Sequence, residues 1–375
     1  MPLDREADYV FYLYTCNRCR SCAVDQSPDL RPLCPAYAHF GYFTYSGGGK
    51  GYVAQGLLEG KVKPSQEVAV PAMSCLLCGA CAHMCPPGFD TMSFVRDLRD
   101  YLVCRGFYIN DRHRELLDDA RSGRLWGKAV AMDKLPVYTG EEEFLVFLGC
   151  REKSRGEVVA PVKRILDAAG VTWGVLEEEP CCGAPLEDLG DIAAFEELAA
   201  KNIELLNASG AERILALCPH CAATMANDYM NVDDLEAEIV TLPRLLDELL
   251  EENRIDFSTG EQMAVTYHDP CRLGRFLEEV DEPRRVLDAM GGVELVEMER
   301  SGESAWCCGS GAWAAEIVPE LGKFTVKERL AEARSTGADC ILTACSYCTG
   351  FLKKSSRGKQ KVIHLAEFAA QKIKP

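Results

Sequence analysis

Residues 210–221 read GAERILALCPHC, and residues 337–348 read GADCILTACSYC. Each begins with glycine and runs through a short apolar segment, Ile214 to Leu217 in the first, into a Cys-x2-Cys pair. Such a run predicts a buried strand with the cysteines at its C-terminal end. The likeness extends on both sides. LDAAG at Leu166 to Gly170 recurs as LDAMG at Leu287 to Gly291, and the same offset carries Cys150 onto Cys271. CCGAPL at Cys181 recurs as CCGSGA at Cys307. Three matches in one order identify a duplicated pair of domains about 120 residues long.

Within each copy strand and helix patterns alternate. Phe144 to Leu148 predicts a strand running into Gly149-Cys150, and Pro161 opens a helix with Val162, Ile165, Leu166 and Ala169 on one face, closed by Gly170. Ile192, Phe195, Ala199, Ile203 and Leu206 make a second helical stripe. The cysteines follow strand ends or stand in loops, where α/β folds gather ligands, and the apolar stripes are core.

Ahead of the duplication stands CLLCGACAHMCP, residues 75–86. The spacing Cys-x2-Cys-x2-Cys-x3-Cys-Pro is the run by which ferredoxins hold a 4Fe-4S cube. The fourth cysteine, followed by proline, reaches the neighbouring cluster in two-cluster ferredoxins, so a partner group is required. It is present as Cys16, Cys19 and Cys22, with Cys34-Pro35 displaced by an insertion. We therefore expect Cys16, Cys19, Cys22 and Cys85 around one cube and Cys75, Cys78, Cys81 and Cys34 around the other. Zinc suits paired Cys-x2-Cys units but does not predict such triplets. The opening MPLDREADYV has no apolar signal segment, so a secreted disulfide framework is not expected. Of 20 cysteines, Cys104 and Cys340 fall outside these groups. Cys340 matches Arg213 of the first copy, inside a strand, and both leftovers are read as structural thiols.

The net charge of −17 is concentrated in the middle of the chain, where residues 126–260 carry 11 basic and 27 acidic side chains. An acidic surface opposes phosphate, so nucleic acid is not an expected partner. No uncharged apolar run is long enough to span a bilayer.

Two ferredoxin-type motifs followed by two CCG repeats resemble the D subunit of heterodisulfide reductase and its relatives, which fuse a small two-cluster protein with a catalytic one that has two CCG repeats. YHDPCRLGR at Tyr267 to Arg275 is similar to the family's second repeat, with Arg272 where histidine is more usual. YSGGGK at Tyr45 to Lys50, with the long first motif, resembles the branch found with benzoyl-CoA-reductase-type electron-transfer complexes. The resemblance implies an α+β multidomain chain: residues 1–125 an α-helical two-cluster ferredoxin domain, then duplicated α/β CCG domains at 126–258 and 259–375. It also implies two cubane 4Fe-4S clusters and two non-cubane 4Fe-4S assemblies, each on five thiolates. Cys150, Cys181, Cys182, Cys218 and Cys221 would hold one assembly, with zinc the alternative occupant. Cys271, Cys307, Cys308, Cys345 and Cys348 would hold the other. Gly183 and Gly309 give the backbone its sharp turn after the paired cysteines.

The function so implied is an iron-sulfur oxidoreductase subunit in which the cubanes relay electrons to the CCG centres, where a disulfide or related small anionic substrate is reduced. The alternative is a pure electron-transfer subunit linking a flavoprotein or hydroxyacid dehydrogenase to ferredoxin or quinone. Expected partners are other redox subunits, a flavoprotein, ferredoxin or membrane cytochrome, together with a thiol or disulfide substrate. The expected location is cytoplasmic, with peripheral attachment at the inner membrane face through a partner. Arg151 and Arg272, each following the first cysteine of its repeat, suit stabilisation of reduced clusters, reception of an anion, or simple bonding to loop carbonyls. His268 and His364 match Phe147 and Thr241 of the first copy and so fall outside the shared ligand set; a surface or loop role is expected. Asp269 is read as a brace for the loop before Cys271. Gly48-Gly49-Lys50-Gly51 is not read as a phosphate loop, since Gly51 and Tyr52 follow the lysine and no strand precedes it.

Overall fold

A computed structural model describes residues 8–25, 31–125 and 135–374. It divides into two compact units. One comprises the chain up to Ser122 together with Pro185–Phe195 and Trp306–Arg329, and the other comprises Gly123–Ala184, Glu196–Ala305 and Leu330–Pro375. Two segments that stand after the CCG motifs in the chain thus belong to the first unit.

The first unit is helical, with helices Asp8–Thr15, Pro35–Phe40, Gly47–Leu58, Gln66–Met73, Ala80–His83, Thr91–Val103 and Asp111–Arg121 before the duplication. Local chemistry sets their starts. Asp90 accepts from the amides of Met92 at 2.9 Å and Ser93 at 3.2 Å, and Asn110 accepts from His113 at 3.0 Å. Ser46 accepts from Gly49 at 3.1 Å. Each cap satisfies an amide that the helix leaves unpaired and is worth about 1 kcal/mol. Phe94, Leu98, Leu102, Met73 and Leu117 fill the core.

The second unit holds two four-stranded parallel sheets of the same topology. The first contains β1 (Phe144–Phe147), β2 (Trp173–Gly174), β3 (Arg213–Ala216) and β4 (Glu238–Thr241), in the order β2-β1-β3-β4. The second contains β5 (Met263–Tyr267), β6 (Val293–Leu295), β7 (Cys340–Thr343) and β8 (Lys361–His364), in the order β6-β5-β7-β8. Registers agree across the copies: Leu145 pairs Ile214 as Thr266 pairs Ile341, and Arg213 pairs Glu238 as Cys340 pairs Lys361. The helix expected from Pro161 begins at Val159, with Val162, Ile165 and Leu166 buried, and Ile192–Ala208 is helical throughout.

The copies pack reciprocally. Helix Val159–Ala168 of the first lies against Leu365–Lys372 of the second, while Leu242–Glu251 of the first lies against Asp281–Asp288 of the second. One continuous apolar cluster runs through both sheets, from Phe144 and Leu246 to Val265, Leu287 and Phe368. Parallel strands place the loops that carry cysteines at their C-terminal ends.

Candidate metal centres

In the helical unit the eight ferredoxin-type cysteines line two cavities. Cys16, Cys19, Cys22 and Cys85 line one, and Cys34, Cys75, Cys78 and Cys81 line the other. Helix Gly47–Leu58 serves both. The Gly48 amide donates to the Cys22 sulfur at 3.2 Å. A Cβ on Gly48 would lie 2.9 Å from the Cys22 Sγ, and one on Gly47 would lie 2.9 Å from the Cys81 Sγ. The glycine run of YSGGGK is therefore a surface for close approach of thiols, not a phosphate cradle. Burial pushes the Cys34 thiol up to about 12 against the opposing charge of Lys50, and it raises Cys81 and Cys22 as well. Such thiols form thiolates when a bound cation compensates the charge.

Arg99, unremarked in the sequence, is wholly buried and braces the second cavity. Its guanidinium donates to the carbonyls of Cys75 at 2.7 Å, Met73 at 3.1 Å, Ala72 at 3.2 Å and Asp188 at 2.5 Å. Guanidinium geometry allows one side chain to hold four carbonyls.

The five cysteines of the first copy come together in the second unit. Cys150 follows β1, Cys181 and Cys182 lie in the loop beyond β2, and Cys218 caps the short helix Pro219–Ala223 that contains Cys221. Their side chains form one hydrogen-bonded run, Cys150 to Cys181 to Cys182 to Cys221 to Cys218. Within it Cys181 is held low by its bonded neighbours, while Cys150, Cys182 and Cys221 are raised, first by theirs and then by burial. Gly183 has φ of +86° and its counterpart Gly309 +99°, the left-handed region that a side chain disfavours.

The backbone of this run is held from behind. Asn202 donates to the Cys181 carbonyl at 2.8 Å and to the Tyr229 hydroxyl at 2.8 Å, and that hydroxyl donates to the Cys182 carbonyl at 3.0 Å. Glu179 accepts from the amides of Leu148 at 2.6 Å and Gly149 at 2.9 Å, fixing the turn into Cys150. Burial pushes the Glu179 carboxyl up to about 7, with the Lys153 charge opposing.

The second copy makes the corresponding brace from the other side. Asp269 accepts bidentately from Arg284, at 2.7 and 3.1 Å, and from the Gly302 amide at 2.8 Å, tying the loop before Cys271 to the segment before its CCG motif. Cys345 caps helix Ser346–Ser356 and accepts from the Cys348 amide at 3.5 Å. Cys307 and Cys308 fall in the helical unit, with the Cys308 sulfur 3.2 Å from the Ser310 hydroxyl. His268 lies in the loop after β5 but is buried, 1% exposed, and a ring nitrogen lies within 4.8 Å of the Cys348 sulfur. Its burial corrects the surface alternative expected for it.

Arg151 and Arg272 are both buried. The Arg151 guanidinium crosses to the second copy, 5.2 Å from the Tyr347 ring centre and against Gly350, with Glu157 at 3.5 Å. Arg272 lies over the Phe276 ring at 4.3 Å. Cys340 is packed inside β7, and Cys104 is an exposed helix C-cap.

A family model for a 4Fe-4S dicluster domain matches residues 12–89, and one for a cysteine-rich domain, CCG, matches residues 144–226 and 265–353. The D subunit of the dihydromethanophenazine:CoB–CoM heterodisulfide reductase of Methanosarcina acetivorans is 29% identical over 90% of this chain and 87% of its own. An EtfAB:quinone oxidoreductase of Syntrophomonas wolfei is 29% identical over 73% of this chain and 42% of its own. The crystal structure of a hypothetical protein from Helicobacter pylori shares the fold, with a TM-score of 0.59 at 12% identity over 87% of this chain and 67% of that one. A helical dicluster domain joined to a duplicated cysteine-rich domain defines an iron-sulfur oxidoreductase subunit. The chain belongs to the family of iron-sulfur proteins that includes the heterodisulfide reductase D subunits.

Among the described residues no helix is long and apolar enough to cross a membrane.

Proposed function

We propose that this chain carries electrons through two 4Fe-4S cubanes to two five-cysteine centres, at which a disulfide or a related small anionic substrate is reduced. The cubane ligands would be Cys16, Cys19, Cys22 and Cys85 for one and Cys34, Cys75, Cys78 and Cys81 for the other. The CCG centres would take Cys150, Cys181, Cys182, Cys218 and Cys221, and Cys271, Cys307, Cys308, Cys345 and Cys348. When bound, the clusters supply one-electron steps, so a two-electron reduction calls for a pair of centres. The reading is carried by the continuous run of five thiols in the first copy, a complete donor set for a five-thiolate assembly. Burial keeps water from those sulfurs, and Asn202, Tyr229 and Glu179 hold the backbone that presents them.

The printed name of the Syntrophomonas wolfei relative supports a second reading, an electron relay between a flavoprotein and quinone without substrate chemistry in this chain. Either function requires redox subunits as partners, a flavoprotein, ferredoxin or membrane cytochrome. Anaerobic analysis of iron, sulfide and zinc tests the cluster content. Two cubanes and two larger assemblies give about 16 iron atoms per chain, and zinc or nothing in the first CCG site gives about 12. Iron near 8 with stoichiometric zinc overturns the proposal.

A further inference from the structure

The basic residue of YSGGGK lies where its charge can act on one centre only. Lys50 lines the cavity that Cys34, Cys75, Cys78 and Cys81 surround, and it is 1% exposed. Its ammonium donates to the Tyr45 carbonyl, toward which the Cys34 sulfur is also directed, at 3.7 Å. Among the described residues no carboxylate forms an ion pair with it. A buried ammonium without an anionic partner is costly, so its retention calls for negative charge nearby. Its field already opposes the burial that raises Cys34.

We propose that Lys50 is the counter-cation of the Cys34, Cys75, Cys78 and Cys81 centre and raises that centre's reduction potential. Four thiolates around a 4Fe-4S core leave a net negative charge, and reduction adds one more electron. A fixed positive charge at short range in a water-poor site favours the more negative state. The other cavity has no equivalent among the described residues. Arg18 and Arg20 line it, but both are exposed, and solvent and salt screen them. Lys50 therefore acts selectively, making one cubane a better electron acceptor than it would be without the lysine. It is a positioning charge rather than a ligand, since an ammonium has no lone pair to give iron. The flanking glycines let the same helix approach both thiol sets and place the lysine one turn along from that approach.

The inference rests on reading these four cysteines as one 4Fe-4S site, which the iron and sulfide content of the wild-type protein tests separately. Its own test is an anaerobic redox titration followed by electron paramagnetic resonance. Wild type is compared with Lys50→Met and Lys50→Arg, and Cys78→Ser assigns the signal of this centre. Lys50→Met should retain iron and lower the midpoint potential of that signal while leaving the other cubane unchanged. Lys50→Arg should stay close to wild type. An unchanged potential in Lys50→Met, or an equal shift of both cubanes, overturns the proposal. Loss of iron from Lys50→Met also rejects it, in favour of a role in assembly.

Discussion

At the scale of single residues, the first CCG centre depends on polar side chains that offer no thiol. Tyr229 is fully buried, and its hydroxyl is held between Asn202 and the Cys182 carbonyl. Tyr229→Phe leaves a buried carbonyl and a buried amide each short of a partner, so it should cost about 1–3 kcal/mol in anaerobic chemical unfolding. Asn202→Ala should cost more, because it removes the bond to the Cys181 carbonyl as well. Losses below about 0.3 kcal/mol in both would show that the run of sulfurs is held by something else.

The ligands themselves were legible because spacing is chemistry: two-residue gaps followed by Cys-Pro, and a doubled CCG, have few other uses. Tyr229, Asn202, Glu179 and Arg99 were not legible, because they reach the site through tertiary contacts that no local pattern encodes. His268 shows the limit of repeat alignment. Its counterpart Phe147 marked it correctly as unshared, but strand register could not reveal its nearness to Cys348.

At the scale of elements, the duplication is visible in caps and packing as well as in cysteines. Thr241 ends β4 and caps Leu242–Glu251, and His364 ends β8 and caps Leu365–Lys372 through its Nδ1, so the matched positions do the same work with different chemistry. Apolar periodicity revealed each helix but not its crossed pairing with the other copy, since an apolar face does not name what covers it.

Near that crossed packing Glu279 bonds to the Thr241 hydroxyl, and burial pushes its carboxyl up to about 7. In the unfolded chain it would titrate near the ordinary ~4.3. The folded state therefore binds the extra proton between these values, and the stability this proton contributes is lost as pH rises through 7. Glu279→Gln keeps an oxygen for Thr241 and removes the titration. Its stability relative to wild type should be greater at pH 8 than at pH 5, by about 2–3 kcal/mol. Urea unfolding at the two values measures this, and an equal difference at both would mean that Glu279 stays ionised throughout.

At the scale of the whole molecule, the paired cysteines of the two repeats belong to different compact units. Cys181 and Cys182 lie in the unit of the parallel sheets, whereas Cys307 and Cys308 lie in the helical unit with the ferredoxin-type cysteines. Within that unit the backbone after Cys308 presses on the loop of Cys75: a Cβ on Gly311 would lie 2.4 Å from the Leu76 carbonyl oxygen. The repeats are thus equivalent in ligand set but not in setting. If both CCG centres serve substrate reduction, Cys182→Ala and Cys308→Ala should each abolish disulfide cleavage, because each removes one of five thiolates. Their effects on the cubanes should differ. Cys182→Ala should leave both cubane signals unchanged, and Cys308→Ala should alter the signal of the Cys34, Cys75, Cys78 and Cys81 centre alone. Identical cubane spectra in the two variants would mean that the contact at Leu76 does not reach that centre. The same anaerobic samples, treated with thiols and disulfides, distinguish catalysis from relay. If no such compound perturbs the spectra of filled CCG centres while electrons still pass to a redox partner, substrate reduction does not occur here and the chain is a relay.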